Sequence, residues 1–350
     1  MMRYDRAPSL YQAYEPYFKI GAAITLAMTE NAAYDGLISR HFNSITAEND
    51  MKPERVLDRR ATLATGDQRC AALDFTRADQ LLSFAQARHI AVRFHVLNWH
   101  NQTPRWFFAK DWSDDPDAPL ADRETMLQRQ ANYTRDVMTH VNRRFPGTVY
   151  AWDVVNEAIE PDQGAPSLYR TRSLWYQILG PDFIPAAFRA ARAYQAPGQK
   201  LYYNDYNSFE PRKRDAILAL LRELHKENLV DGMGMQGHLL LDQPDISLCE
   251  EAARMYAALG LEIQATELDI HCPGQDAERQ AALARRYGEY FCMLLRLRRE
   301  GIAVTAATLW GVTDRDSWLT AFRKEGSWPL LFTENMETKP AFDAVLEAAG

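Results

Sequence analysis

Nowhere in this chain of 350 residues is there an apolar run long enough to cross a bilayer, or a block of basic residues. The first absence argues against a transmembrane helix. The second, with a net charge of −7 spread along the chain, argues against nucleic acid as a partner. Cysteine is scarce too. The four, at 70, 249, 272 and 292, show no CxxC spacing. That speaks against a disulfide framework or a zinc site and predicts free thiols in a reducing compartment. The N-terminal stretch MMRYDRAPSLYQAYEPYFKIG lacks the apolar h-region of a signal peptide, which predicts a cytoplasmic location without membrane attachment. Internal repeats and low-complexity segments are absent as well. What the chain does have is 47% hydrophobic residues, enough for a full core.

Short apolar runs alternate with longer amphipathic ones. The expected strands are Phe18–Ala23, Phe42–Thr46, Ala91–Leu97, Val149–Val155, Lys200–Tyr203, Gly232–Gly237, Leu261–Thr266 and Ala303–Leu309. The expected helices are Ala32–Arg40, Arg77–Arg88, Thr125–Arg144, Pro185–Tyr194, Arg212–Glu227, Ser247–Ala258, Ala277–Arg299 and Ala341–Ala348. Helical period is clearest in Arg212–Glu227, where Ile217, Leu220, Leu221 and Leu224 share a face. Pro146-Gly147, Pro197-Gly198, Asp231-Gly232 and Gly260 punctuate the boundaries. Strict alternation of this kind predicts an α/β fold, a single (β/α)8 TIM barrel over residues 1–350, with the barrel proper starting near residue 18. A doubly wound sheet fits less well, because no glycine-rich phosphate turn follows the first strand.

The strand ends carry chemistry. The second runs into Glu48, Asn49 and Lys52, and the third into His95, Trp99, His100 and Gln102. The fourth ends at Asn156-Glu157, the fifth at Asn204-Asp205-Tyr206-Asn207, and the sixth at Gln236 and His238. The seventh ends at Glu267 and Asp269, the eighth at Trp310, with Trp318 beyond. Singly, each has a bland explanation: a cap, a surface charge, a core Trp. In a barrel all these ends converge on one face, the face that holds active sites.

Two carboxyl groups flanking a glycosidic bond act as general acid/base and as nucleophile. Glu157 and Glu267, 110 residues apart, are placed for this about three βα units from each other. Asn156 suits a sugar 2-hydroxyl, and His238 suits the Glu267 carboxylate. Glu48, Asn49, Lys52 and Gln102 suit sugar hydroxyls. Trp310 and Trp318 offer apolar faces to pyranose rings. A metal site from His95, His100, His238 and Asp269 is the rival, but the chain has no HExxH helix and no HxH pair at the first strand. Neither metal nor cofactor is expected.

These stretches resemble the glycoside hydrolase family 10 endo-β-1,4-xylanases. The matching pieces, in order, are ITAENDMK (45–52), HVLNWHNQTPRW (95–106), WDVVNEAI (152–159), KLYYNDYN (200–207), DGMGMQGH (231–238), ATELDI (265–270), LWGVTDRDSW (309–318) and KPAF (339–342). The resemblance implies Glu157 as acid/base and Glu267 as nucleophile, supported by Asn156 and His238 with Gln236 nearby. It implies that Glu48, Asn49, Lys52, His95, Trp99, Gln102, Trp310 and Trp318 line the glycone side, and that Tyr206 stacks on the leaving-group side. It further implies a retaining double displacement, with carboxyl groups about 5–5.5 Å apart. The expected partners are xylan fragments and xylo-oligosaccharides, as for the intracellular members. Two other functions compete: a related retaining β-1,4-glycosidase (glucanase or cellobiosidase), and a catalytically silent barrel that binds oligosaccharide. The presence of both carboxylates argues against the silent barrel.

Overall fold

A computed structural model describes residues 2–161 and 167–350. Eight parallel strands form its centre: β1 (Lys19–Ile24), β2 (Ser44–Ala47), β3 (Ala91–Phe94), β4 (Val149–Asn156), β5 (Lys200–Asp205), β6 (Gly232–Met235), β7 (Glu262–His271) and β8 (Val304–Leu309). Each pairs with the next, and β8 pairs with β1, so the sheet closes and leaves no edge. The helices that follow are α1 (Ala32–His41), α2 (Thr76–Ala87), α3 (Arg123–Arg144), α4 (Phe183–Tyr194), α5 (Pro211–Lys226), α6 (Ile246–Ala257), α7 (Ala277–Arg299) and α8 (Pro340–Ala349). This is the (β/α)8 barrel that the alternation predicts.

Local sequence explains the helices. Asp122 caps α3 by accepting from the Thr125 amide, and Arg143 and Arg144 sit in its last turn, where the helix dipole favours cations. Asp276 caps α7 in the same way, accepting from Arg279. Pro211 starts α5, whose Ile217, Leu220, Leu221 and Leu224 are all buried against the barrel.

The differences from expectation lie at strand ends. β3 stops at Phe94 instead of Leu97, and Asn98–Trp99 rejoin the sheet beside Val155 and Asn156 of β4. β6 stops at Met235, because Gly237, at φ +87°, turns the chain. β7 runs past Thr266 to His271, since residues 238–240 add a pairing to residues 269–271. Its register shifts between Ala265 and Leu268, around Glu267. Irregularities of this kind re-aim a side chain beside active sites. Short helices at Leu10–Tyr14, Pro53–Val56, Arg59–Thr65 and Leu174–Leu179 have too few turns to show a period.

Inside the barrel, below the strand ends, lies a polar floor. The buried Arg93 guanidinium pairs with Asp153 and donates to Gln264 Oε1 at 2.6 Å. Gly234 on β6 faces this floor. A Cβ there would come within 2.3 Å of Asn204 Oδ1 and 2.9 Å of Arg93 Nη2. Both neighbours are buried and hydrogen-bonded, so neither can move aside freely. Gly234→Ala is therefore expected to destabilise the fold by about 1–3 kcal/mol, the usual cost of overpacking. The midpoint of urea unfolding checks this, and a variant as stable as the parent would contradict it.

Candidate active site

Glu267 is 6% exposed, yet its carboxylate has the partners of an ion. Oε1 accepts from Asn204 Nδ2 at 2.7 Å, and Oε2 lies 3.2 Å from His238 Nε2. The other ring nitrogen of His238 lies 2.8 Å from Asp269 Oδ1. An imidazole that donates from both nitrogens is an imidazolium. Burial opposes charge on this ring, but Asp269 and Glu267 outweigh it and push its pKa up to about 10. For Glu267, burial likewise opposes charge. The hydrogen bond from His238, the nearby His95 and the bond from Asn204 overcome it and bring the carboxyl down to about 2. Asp269 is itself fixed by Trp318 Nε1, which donates to its Oδ2 at 2.8 Å.

Glu157 follows the last residue of β4 in the left-handed region, at φ +55°. This conformation is uncommon for a residue with a side chain, and such strain collects at functional sites. Its N–H continues the sheet by donating to the Asn204 carbonyl at 2.9 Å. The carboxylate takes neutral donors: Gln236 Nε2 on Oε1 at 3.0 Å and Trp99 Nε1 on Oε2 at 2.9 Å. His100 Nδ1 stands 3.8 Å from Oε2, and burial, with Arg170 nearby, pushes that ring's pKa down to about 4.

The two carboxylates belong to one network. The Gln236 and Asn204 side-chain amides also meet the Asn156 side-chain amide, at 3.2 and 2.9 Å, while Asn204 Nδ2 donates to Glu267. The Glu267 N–H donates to the Gln236 carbonyl at 2.7 Å. Asn156 is therefore buried between the two carboxylates.

A second polar cluster adjoins the first. Lys52 Nζ donates to Asn49 Oδ1 (3.0 Å) and Gln102 Oε1 (2.7 Å) and sits 4.8 Å from the centre of a Trp99 ring. Asn49 Nδ2 donates to Glu48 Oε1 at 3.2 Å. Burial raises the Glu48 pKa and lowers that of Lys52, against the pull of Glu267, Glu48 and Glu157 on the lysine. Trp310 and Trp318 flank His238, with ring centres 6.4 and 5.1 Å away. His95 is buried, edge-on to Trp310, with Nδ1 3.0 Å from Asp153. The Tyr206 hydroxyl donates to Glu160 at 2.5 Å and accepts from Arg170 Nη2 at 2.9 Å.

Every residue singled out from the strand ends thus lies at one end of the barrel. They differ in their partners: His95 and Trp310 are buried edge-on to each other, and Trp99 bonds the Glu157 carboxylate itself. Among the described residues, no group of three or more His, Cys, Asp or Glu is placed to hold a metal ion. His95 and His238 are instead turned toward carboxylates. All four cysteines are free thiols. Asn204 and Asp269 stand out in sequence only as strand-end polar residues, without the supporting role they take here, and Arg170 carries no sequence signal at all. Arg170 is far from any strand, although its side chain reaches the Glu157 carbonyl.

The glycosyl hydrolase family 10 profile matches residues 9–348. Endo-1,4-beta-xylanase B of Butyrivibrio fibrisolvens is 46% identical over 97% of this chain, which spans about half (53%) of that relative's length. The GH10-containing xylanase 10B fragment of Clostridium thermocellum, solved with xylohexaose, superposes with a TM-score of 0.88 at 33% identity, covering 98% of this chain and 67% of its own. An intracellular xylanase from Thermoanaerobacterium saccharolyticum, solved as a mutant with xylotriose, gives 0.84 at 33% identity, covering 97% and 98%.

The charge pairing around Glu267 makes a pH prediction. Its folded pKa is depressed, so its contribution to stability is present above the ordinary carboxylate range and is lost as pH falls through about 2. His238 is raised, so its contribution is full below the ordinary histidine range and is lost as pH rises through about 10. Removing the cation by His238→Ala should move the Glu267 titration upward, toward or above the ordinary range. Carboxyl 13C NMR of glutamate-labelled protein reads this directly. An unmoved titration would show that His238 does not hold the charge.

Proposed function

Since this chain belongs to glycosyl hydrolase family 10, we propose that it is a retaining endo-1,4-β-xylanase acting on xylan fragments and xylo-oligosaccharides. The observation that carries the mechanism is the unequal pairing of the carboxyl groups. Glu267 is paired with a cation and stays ionised, as a nucleophile must. Glu157 is served by neutral donors, which suits a group that gives up and takes back a proton.

In the first step Glu267 attacks the anomeric carbon, while Glu157 protonates the departing glycosidic oxygen. A covalent glycosyl-enzyme forms and the leaving sugar departs past Tyr206. In the second step Glu157, now a base, takes a proton from water, which attacks the same carbon from the face the first sugar left. The Glu267 bond breaks and the sugar leaves with its configuration retained. Asn156, between the two carboxyl groups, meets the 2-hydroxyl. Glu48, Asn49, Lys52 and Gln102 bind the glycone hydroxyls. Trp310 and Trp318, both against His238, crowd the position where glucose carries a hydroxymethyl group that xylose lacks. The cytoplasmic location belongs to the same proposal, by analogy with the Thermoanaerobacterium saccharolyticum enzyme, which is described as intracellular.

Glu267→Ala is expected to abolish turnover of every substrate. Glu157→Ala should spare glycosylation by substrates with good leaving groups and should recover with azide. Equal losses in both variants, beyond rescue, would contradict the division of roles. Aryl β-xylobioside should also be turned over in preference to aryl β-cellobioside. A strong preference for the glucoside would make the protein a glucanase, and binding of xylo-oligosaccharides without release of reducing ends would make it a carrier.

A further inference from the structure

Arg170 lies in the connection between β4 and α4, next to Tyr169, which pairs with Ile159 in a short antiparallel bridge. The pairing continues on either side. The Arg170 N–H donates to the Ala158 carbonyl at 2.9 Å, and the Glu160 N–H donates to the Leu168 carbonyl at 3.0 Å. From this braced position the guanidinium reaches in two directions. Nε donates to the Glu157 carbonyl oxygen at 2.9 Å. Nη2 donates to the Tyr206 hydroxyl at 2.9 Å and pairs with Glu160. Arg170, Glu160, Tyr169 and His100 also line a cavity of about 690 Å³, and His100 stands 3.8 Å from the Glu157 carboxylate.

This links two things that a glycosidase must keep in register: the proton donor and the leaving sugar. The Glu157 peptides are anchored on both sides, the N–H by Asn204 and the carbonyl by Arg170. With both held, its Cα–Cβ bond has one direction, even though the left-handed conformation costs roughly 1–2 kcal/mol. Tyr206 is anchored on its hydroxyl by Arg170 and Glu160, and one face of its ring is occupied by Lys213 Nζ, 3.3 Å from the centre. We propose that Arg170 is a positioning residue that sets the Glu157 proton donor against the leaving sugar, holding the donor's backbone with one nitrogen and the Tyr206 platform with another. This rests on Glu157 being the acid/base and goes beyond it: the spacing between acid and leaving group is set by a residue that touches neither substrate nor the reacting atoms.

The test compares kcat/KM, which reports the first irreversible step, for two substrates. Xylotetraose needs a proton on its departing oxygen; 2,4-dinitrophenyl β-xylobioside does not. In Arg170→Met, kcat/KM for xylotetraose should fall about tenfold or more, within the range a general acid contributes, while the aryl substrate stays within about threefold. The alkaline limb of the xylotetraose pH profile should move upward, because a cation near the proton donor is gone. Arg170→Lys keeps the charge but not the two-way fork, so it should lose rate without moving that limb. Tyr206→Phe removes a single hydroxyl and should give the same substrate split as Arg170→Met, which keeps the test decisive if the methionine variant does not fold. Equal losses on both substrates, or no loss on xylotetraose, would overturn the role of Arg170. A wild type that cleaves neither substrate would instead overturn the function proposed above.

Discussion

A full negative charge in a nearly dry place is the constraint on which this structure turns. Burial alone would protonate Glu267, and an unpaired carboxylate there would be costly. Three neighbours hold it ionised. His238 brings a cation, which is itself stabilised by Asp269; Asn204 brings a donor; His95 adds a favourable field. Each support needs support of its own. Asp269 is held by Trp318, His95 stands against Asp153, and Asp153 against Arg93. Gly234 lacks a Cβ where Asn204 and Arg93 come together. Much of the polar interior at this end of the barrel serves to keep one carboxylate charged.

The second carboxyl is treated differently. Glu157 sits one residue past β4, in a conformation that few side-chain-bearing residues adopt, and its donors are neutral. One group is locked in a charge state; the other is locked in position. The link between them is a row of amides, Gln236, Asn156 and Asn204, which carry no net charge and tie the two carboxyls together, with Asn204 also favouring the ionised Glu267.

Much of this was legible beforehand for a simple reason. In a closed parallel barrel, strand order and strand ends follow from alternation, and alternation is a local property. The eight strands and eight long helices fall where periodicity and Pro-Gly punctuation place them, with ends shifted by a few residues. The shifts come from long-range pairing. β7 continues to His271 because residues 238–240 pair with it, and no window of sequence around Glu267 shows that partner. How deeply His95 and Trp310 are buried likewise depends on the tilt and kinks of the strands around them, which no local window of sequence shows.

Residue type and order alone determined the fold class and the family, and singled out Glu157 and Glu267 at two strand ends. Each rests on patterns that read along the chain: apolar period, turn residues, and polar residues at strand ends. Only the tertiary structure decided how those carboxylates differ, because ionisation depends on what lies within a few ångströms, and those neighbours come from strands far apart in sequence. It alone could also bring Arg170 to the Glu157 carbonyl, since an arginine in a long connection looks like any surface charge until folding closes the distance.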